Sequence, residues 1–265
     1  MSNIIVSGDF VDLGTISSVS ETAGYPDDNV EDYWFLKRRF RADGVPKSDA
    51  SFLLKFDFGA AKSVVGVILN DVNFDTARIR ADANDLGVNW VGSDFDSGAD
   101  HTVSLDERVN RYKIYIPAVF DKQWMVVQVP AAASAVGSYQ TKWEVGSVIV
   151  LATATELTHN MAWGYKRKAE KPYEDISKRS GGIERINLGD NYQWFGNAIF
   201  GRRTVAEEAD LWTLNLIDLA EPMIFYENDS DTSKAYLCLR DDAYEGTLEY
   251  NDLTVGNAIR FKELV

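Results

Sequence analysis

The sequence predicts a mainly β protein. An N-terminal β-sandwich of the jelly-roll kind is expected over residues 1–155, and a second β-rich domain with one packed helix over 156–265. Three observations predict this. Apolar runs of strand length recur at spacings of roughly 8–20 residues in the first part, divided by polar turns. Only one segment, late in the chain, carries a clear helical repeat. The length, 265 residues, suits one large or two moderate domains.

The first part is read strand by strand. Ser51–Phe58 is apolar-rich and closes at Asp57-Phe58-Gly59, and Lys62–Asn70 is rich in valine and isoleucine. Ala77–Ala81 alternates about Ile79. In Arg111–Pro117, Tyr112, Ile114 and Ile116 face one way and Lys113 and Tyr115 the other. Met125–Val129 and Val145–Leu151 complete the set. Asn84-Asp85-Leu86-Gly87 and Asp94–Gly98 read as turns.

A boundary is expected near Thr153–Ala162. Beyond it, Tyr165–Ser180 is polar, interrupted by Pro172, and fits an extended arm or a strand with a long loop. Strands are expected at Ile183–Leu188, Gln193–Phe200, Met223–Tyr226, Ala235–Leu239, Gly246–Tyr250 and Ala258–Leu264. Between them Thr204-Val205-Ala206-Glu207 fits a capping box. Val205, Ala209, Trp212, Leu216 and Leu219 then recur at helical spacing, which predicts a helix over about 204–220 with that stripe as its core face. Pro222 stops it.

Charge narrows the function classes. The net charge is −14, and a field of that sign repels phosphate backbones, so nucleic-acid binding is not expected. No run approaches the roughly 20 apolar residues of a membrane helix, and no targeting segment is read at the N-terminus, so a cytosolic product that stays soluble or is built into a larger assembly is expected. Two basic clusters stand out, Lys37-Arg38-Arg39 with Arg41, and Lys166-Arg167-Lys168. Each suits a solvated loop, an ion-pair partner for nearby Asp27, Asp28 and Glu31, or a contact with an acidic neighbouring subunit.

Motifs for chemistry are missing. Cys238 stands alone, which rules out an intrachain disulfide. His101 and His159 are the two histidines, and neither has the context of a nucleophile–base pair or a zinc site. Phosphate-binding glycine loops are absent. Asp82-Ala83-Asn84-Asp85 and Glu227–Asp231 could offer oxygens to calcium, but neither completes the twelve-residue loop pattern. No enzyme, cofactor or metal is expected, although the 41 acidic residues leave a carboxylate hydrolase open by counting. Seven tryptophans and twelve tyrosines are abundant. Tyr33, Trp34, Trp90, Trp124, Tyr139 and Trp143 lie beside predicted loops, where aromatic faces serve sugars, interfaces or core packing. Tyr33, Trp34, Arg38, Arg39, Arg41 and Trp90 form the candidate interface or ligand loop.

Tyr25-Pro26-Asp27-Asp28-Asn29-Val30, and the stretch from Trp34 through Arg38 to Arg41, resemble the opening segment and the Trp/Arg region of the discoidin-type, galactose-binding-like domains of bacteriophage virion proteins. Phe56-Asp57-Phe58-Gly59-Ala60 is similar to that family's strand and Asp-Leu-Gly element, with Phe58 in place of leucine. Val67-Ile68-Leu69, Asn73-Phe74 and Ala77-Arg78-Ile79-Arg80 resemble the next strand, a His-Asn-Leu turn and the strand after, with Val72 where histidine is usual. Trp143–Val150 resembles the closing strand. Ser180-Gly181-Gly182, Tyr192-Gln193-Trp194-Phe195, the capped helix and Arg260–Leu264 are similar to the β-domain of tail-tip proteins. The resemblance implies a structural tail protein of the distal-tail or baseplate type. It would be made in the host cytoplasm and built into the virion as a homo-oligomeric ring contacting other tail proteins. A carbohydrate-binding module for host attachment, with glycans as ligands, is the alternative it leaves open.

Overall fold

The structure, a computed structural model, describes residues 4–31, 38–98, 100–106, 111–137, 141–157, 166–170, 173–177, 183–187, 193–198, 203–226, 235–248, 253–256 and 259–264. The chain is mainly β. Its first strands are β1 (Ile4–Ser7), β2 (Thr15–Ser18), β3 (Phe40–Arg41), β4 (Leu54–Val72), β5 (Thr76–Asp82), β6 (Phe95–Asp96), β7 (His101–Thr102), β8 (Ser104–Asp106), β9 (Arg111–Gln128), β10 (Glu144–Val145), β11 (Ser147–Leu151) and β12 (Thr155–Leu157). There follow β13 (Lys166–Glu170), β14 (Tyr173–Ser177), β15 (Ile183–Asn187), β16 (Gln193–Ala198), β17 (Arg203–Thr204), helix α1 (Val205–Trp212), β18 (Met223–Tyr226), β19 (Ala235–Arg240), β20 (Gly246–Leu248), β21 (Leu253–Gly256) and β22 (Ile259–Glu263).

Two long antiparallel strands build the sandwich. The sequence reads Ser51–Phe58 and Lys62–Asn70 as separate strands, yet Leu54–Phe58 and Lys62–Asn70 lie in one 19-residue strand, β4. Likewise Arg111–Pro117 and Met125–Val129, save Val129 itself, belong to the 18-residue β9. The pairing of β4 with β9 slips between Asp57 and Lys62, and such irregularities bend a ribbon without ending it. Before the slip β4 pairs with β2, and the matching part of β9 pairs with β5. After it β4 pairs with β11, and β9 with β8. The two halves share one core, with Leu54, Phe56, Ile79 and Met125 from one side and Val67, Leu69, Ile116 and Val150 from the other.

The second half-sheet is buried on both faces. Val148 and Val150 of β11 point into the sandwich, while Ile149 and Leu151 join Ile68, Tyr115, Ile224, Tyr226 and Leu237 on the far side. This double burial explains why Val145–Leu151 reads as an unbroken apolar run rather than an alternating one. Gly66 lies where a Cβ would stand 2.6 Å from the Tyr115 ring, so that ring packs flush only against glycine.

The far side belongs to a second sheet, ordered β12-β1-β18-β19-β22-β16-β13. Here the linear division at residue 155 fails for one element. Strand β1 hydrogen-bonds between β12 and β18, inside the second sheet. The sandwich is thus an excursion of the chain between two neighbouring strands of the other body. The two crossings also pair, through the Phe10–Leu151 bridge and the Val11 and Ala152 amides, so a double-stranded tether joins the bodies.

The predicted helix is shorter and turned differently. Helix α1 ends at Trp212, and Thr213–Leu216 continues as a 3-10 turn. Its buried side is Glu208, Leu211 and Leu214, whereas Ala209, Trp212, Leu216 and Leu219 are exposed. A 3-10 turn eclipses positions three apart, so the +3 row of Glu208, Leu211 and Leu214 is buried in place of the mixed +4/+3 stripe. The polar stretch Tyr165–Ser180 contributes two strands, β13 and β14, and the basic cluster Lys166-Arg167-Lys168 opens the first of them.

Candidate functional site

The predicted loop residues part company in the structure. Tyr33 and Trp34 lie outside the described residues, and Arg38 is exposed. Arg39 and Arg41 flank Phe40, whose buried side chain anchors β3 against β10. Alternation along that short strand sends both guanidiniums away from the core. They meet carboxylates distant in sequence. Arg39 donates through Nη1 to Glu144 Oε2 at 2.9 Å and through Nη2 to Asp71 Oδ2 at 3.0 Å. Arg41 donates through Nε to Glu144 Oε1 at 2.7 Å, and its guanidinium lies 3.9 Å above the Tyr25 ring. Arg111 approaches Asp71 at 3.9 Å. The sequence pointed to Asp27, Asp28 and Glu31 as partners; the described ion pairs of Arg39 and Arg41 go to Asp71 and Glu144 instead.

Backbone geometry sets this cluster. Asp71 holds a left-handed φ of 54°, a conformation that aspartate tolerates better than most residues. The Gly146 amide donates to the carbonyls of Asn70 and Asp71. A Cβ at Gly146 would sit 2.7 Å from the Asp71 Cβ, so glycine is required for the approach. Asn73 completes the frame, accepting from the Glu144 amide and donating to the Lys142 carbonyl. Three guanidiniums against two carboxylates make a clamp that ties β3 and β10 to the end of β4 and the start of β9. It holds charge in place, with both carboxylates engaged by arginines.

Trp90 is not a free loop aromatic. It is fully buried with Phe52 and Val126 on the outer face of the first half-sheet, and its indole N–H donates to the Gly87 carbonyl at 3.1 Å. Arg80, itself buried, donates to the Trp90 carbonyl. Beside this plug, Trp124 is half-buried, with the Lys55 ammonium 5.3 Å from its ring and held to Asp85. Desolvation opposes charge on Asp85, but its bonds from Lys55 and the Gly87 amide outweigh that and hold its carboxyl below the usual value. Trp143 is also buried, edge-on to Phe74. Tyr139 lies outside the described residues.

The other candidates for chemistry are occupied structurally. Asp82 accepts the amides of Asn84 and Asp94, closing the Asp82–Asp85 turn. Among the described residues no three His, Cys, Asp or Glu side chains converge as a metal site. Glu227–Asp231 and His159 fall outside the described residues, and His101 lies 3.4 Å from the Ser97 carbonyl. Cys238 is buried. Desolvation, then the nearby Glu263 charge, push its thiol well above the ordinary value, which removes the thiolate a nucleophile needs.

No protein-family model and no curated protein matches the chain. Among solved structures it is similar to SpGH29, at 15% identity and a TM-score of 0.36, covering 54% of this chain and 27% of that one. It is also similar to a chitosan-binding module from a chitosanase/glucanase of Paenibacillus sp. IK-5, at 12% identity and a TM-score of 0.33, covering 53% of this chain and 96% of the module. A family 89 glycoside hydrolase from Clostridium perfringens aligns at 11% identity and a TM-score of 0.36, over 55% of this chain and 15% of its own.

Proposed function

We propose that this chain is a structural component of a bacteriophage tail tip or baseplate, of the distal-tail kind, working by ring assembly and protein–protein contact in the virion. The reading rests on the motif resemblance that runs from Tyr25 to Leu264. One structural observation supports it most. The charges around Glu144 and Arg80 are spent on internal clamps, while Val88, Val91 and Val119 are turned outward. Surface chemistry of that kind suits burial against neighbours. A ring contact of this sort would bury more than about 1,000 Å². Light scattering on the purified chain, alone and mixed with the tail proteins encoded beside it, tests the proposal. A closed multimer is expected; a strict monomer under both conditions would sink it.

A second reading, carbohydrate binding during host attachment, is favoured by Trp124. Its half-buried ring lies on the outer face of the first half-sheet, next to Lys55 and to the Gln123–Asp57 hydrogen bond. An aromatic surface with polar neighbours suits stacking on a sugar. A glycan array should then show binding that Trp124→Ala removes, and a blank array ends this reading.

A further inference from the structure

The outward-facing helical stripe carries an inference that holds whether or not the chain belongs to a phage tail. Trp212, Leu216 and Leu219 are 47%, 85% and 43% exposed. Ala209, one turn earlier, is exposed as well. Ala209 and Trp212 lie one turn apart on the helix, Leu216 ends the 3-10 turn that continues it, and Leu219 follows the extended Ile217 in the turn closed by the Glu221 amide on the Asp218 carbonyl. The opposite side is already filled, since Leu211 and Leu214 lie in the core and Glu208 accepts from the buried Tyr244 hydroxyl at 2.7 Å. Trp212 is steadied by an edge-on contact with the Tyr244 ring, 5.5 Å between centroids, so it is presented in a fixed pose. A sequence that spends a helical apolar stripe on solvent leaves an unfilled contact.

The charge around the stripe says what fills it. Among the described residues, Asp218 and Glu221 are exposed next to it in the sequence. Arg240 is turned inward, donating to Asn215 Oδ1 and the Ile217 carbonyl, and so does not offset them at the surface. A two-fold contact between two copies of this face would press these carboxylates together in a chain that already carries −14. We infer that the Trp212–Leu219 stripe is a docking surface for a segment of a different protein that presents apolar side chains flanked by lysine or arginine.

The test uses the whole chain and two fluorescein-labelled amphipathic helical peptides, one with a leucine face flanked by lysines and one with the same face flanked by glutamates. Anisotropy titrations at about 0.15 M salt compare the wild type with Leu216→Glu. Leu216 is too exposed for its replacement to unfold the protein, and the new carboxylate would strengthen any purely electrostatic attraction. The lysine peptide is expected to bind the wild type at least about tenfold more tightly than the glutamate peptide, and to lose at least about tenfold on Leu216→Glu. Equal binding of the two peptides, no binding of either, or undiminished binding to Leu216→Glu would each overturn the inference. So would a wild-type dimer in light scattering that Leu216→Glu abolishes, which would give the face to a second copy.

Discussion

The ammonium of Lys113, on β9 of the sandwich, donates a 2.8 Å hydrogen bond to the carbonyl of Ala235, on β19 of the other sheet. The same ammonium lies 4.7 Å from the centroid of the Tyr236 ring. Lys113 is buried among Ile68, Ile149 and Leu237, where the two bodies meet. A cation so placed fixes the relative orientation of the sheets, because a buried polar group keeps its partner or pays the loss of hydration.

Lys113→Met keeps the stem but deletes the donor. It is expected to lower stability by about 1–3 kcal/mol, read as a fall in the urea midpoint with little change in slope. An unchanged midpoint would mean that the seam is wet.

Glu144→Gln leaves the fold's shape intact but strips both guanidiniums of their shared anion. Arg39 and Arg41 keep some contact with water, which limits the cost to about 1–3 kcal/mol. Denaturation in low and high salt checks this, and the deficit should shrink as salt rises.

Trp90→Ala removes a fully buried indole and is expected to cost about 3–5 kcal/mol. A role as a ligand-stacking surface would instead leave stability nearly unchanged. Chemical denaturation separates the two outcomes.

Val6→Asp places a charge inside the second sheet, since Val6 is buried in that core with Phe225 and Leu157. The buried Cys238 thiol reports on the same core. Its labelling by a thiol reagent at neutral pH should be very slow in the wild type and fast in Val6→Asp, while proteolysis leaves the sandwich, residues 10–151, resistant. Equal labelling rates would remove β1 from that sheet.

Much of the fold was legible where burial is local. The alternation of Tyr112, Ile114 and Ile116 against Lys113 and Tyr115 is the division the structure shows, with the first group toward the sandwich core and the second toward the seam. Three features were not legible, each for its own physical reason. Strand β1 is four residues long and pairs with segments about 150 and 220 residues onward, so nothing near it in sequence marks its sheet. The helical stripe outlasts the helix and lies on the wrong face, because periodicity marks neither where a helix turns 3-10 nor which side is covered. The arginine cluster was visible as charge, yet its anions, Asp71 and Glu144, are brought in by strand register from far along the chain.

Electron microscopy of phage particles carrying this chain, labelled with gold-tagged antibody against the sandwich, tests the assembly reading most directly. Gold confined to the distal end of the tail is the predicted result. Particles that carry no gold, or carry it on the head alone, would contradict it.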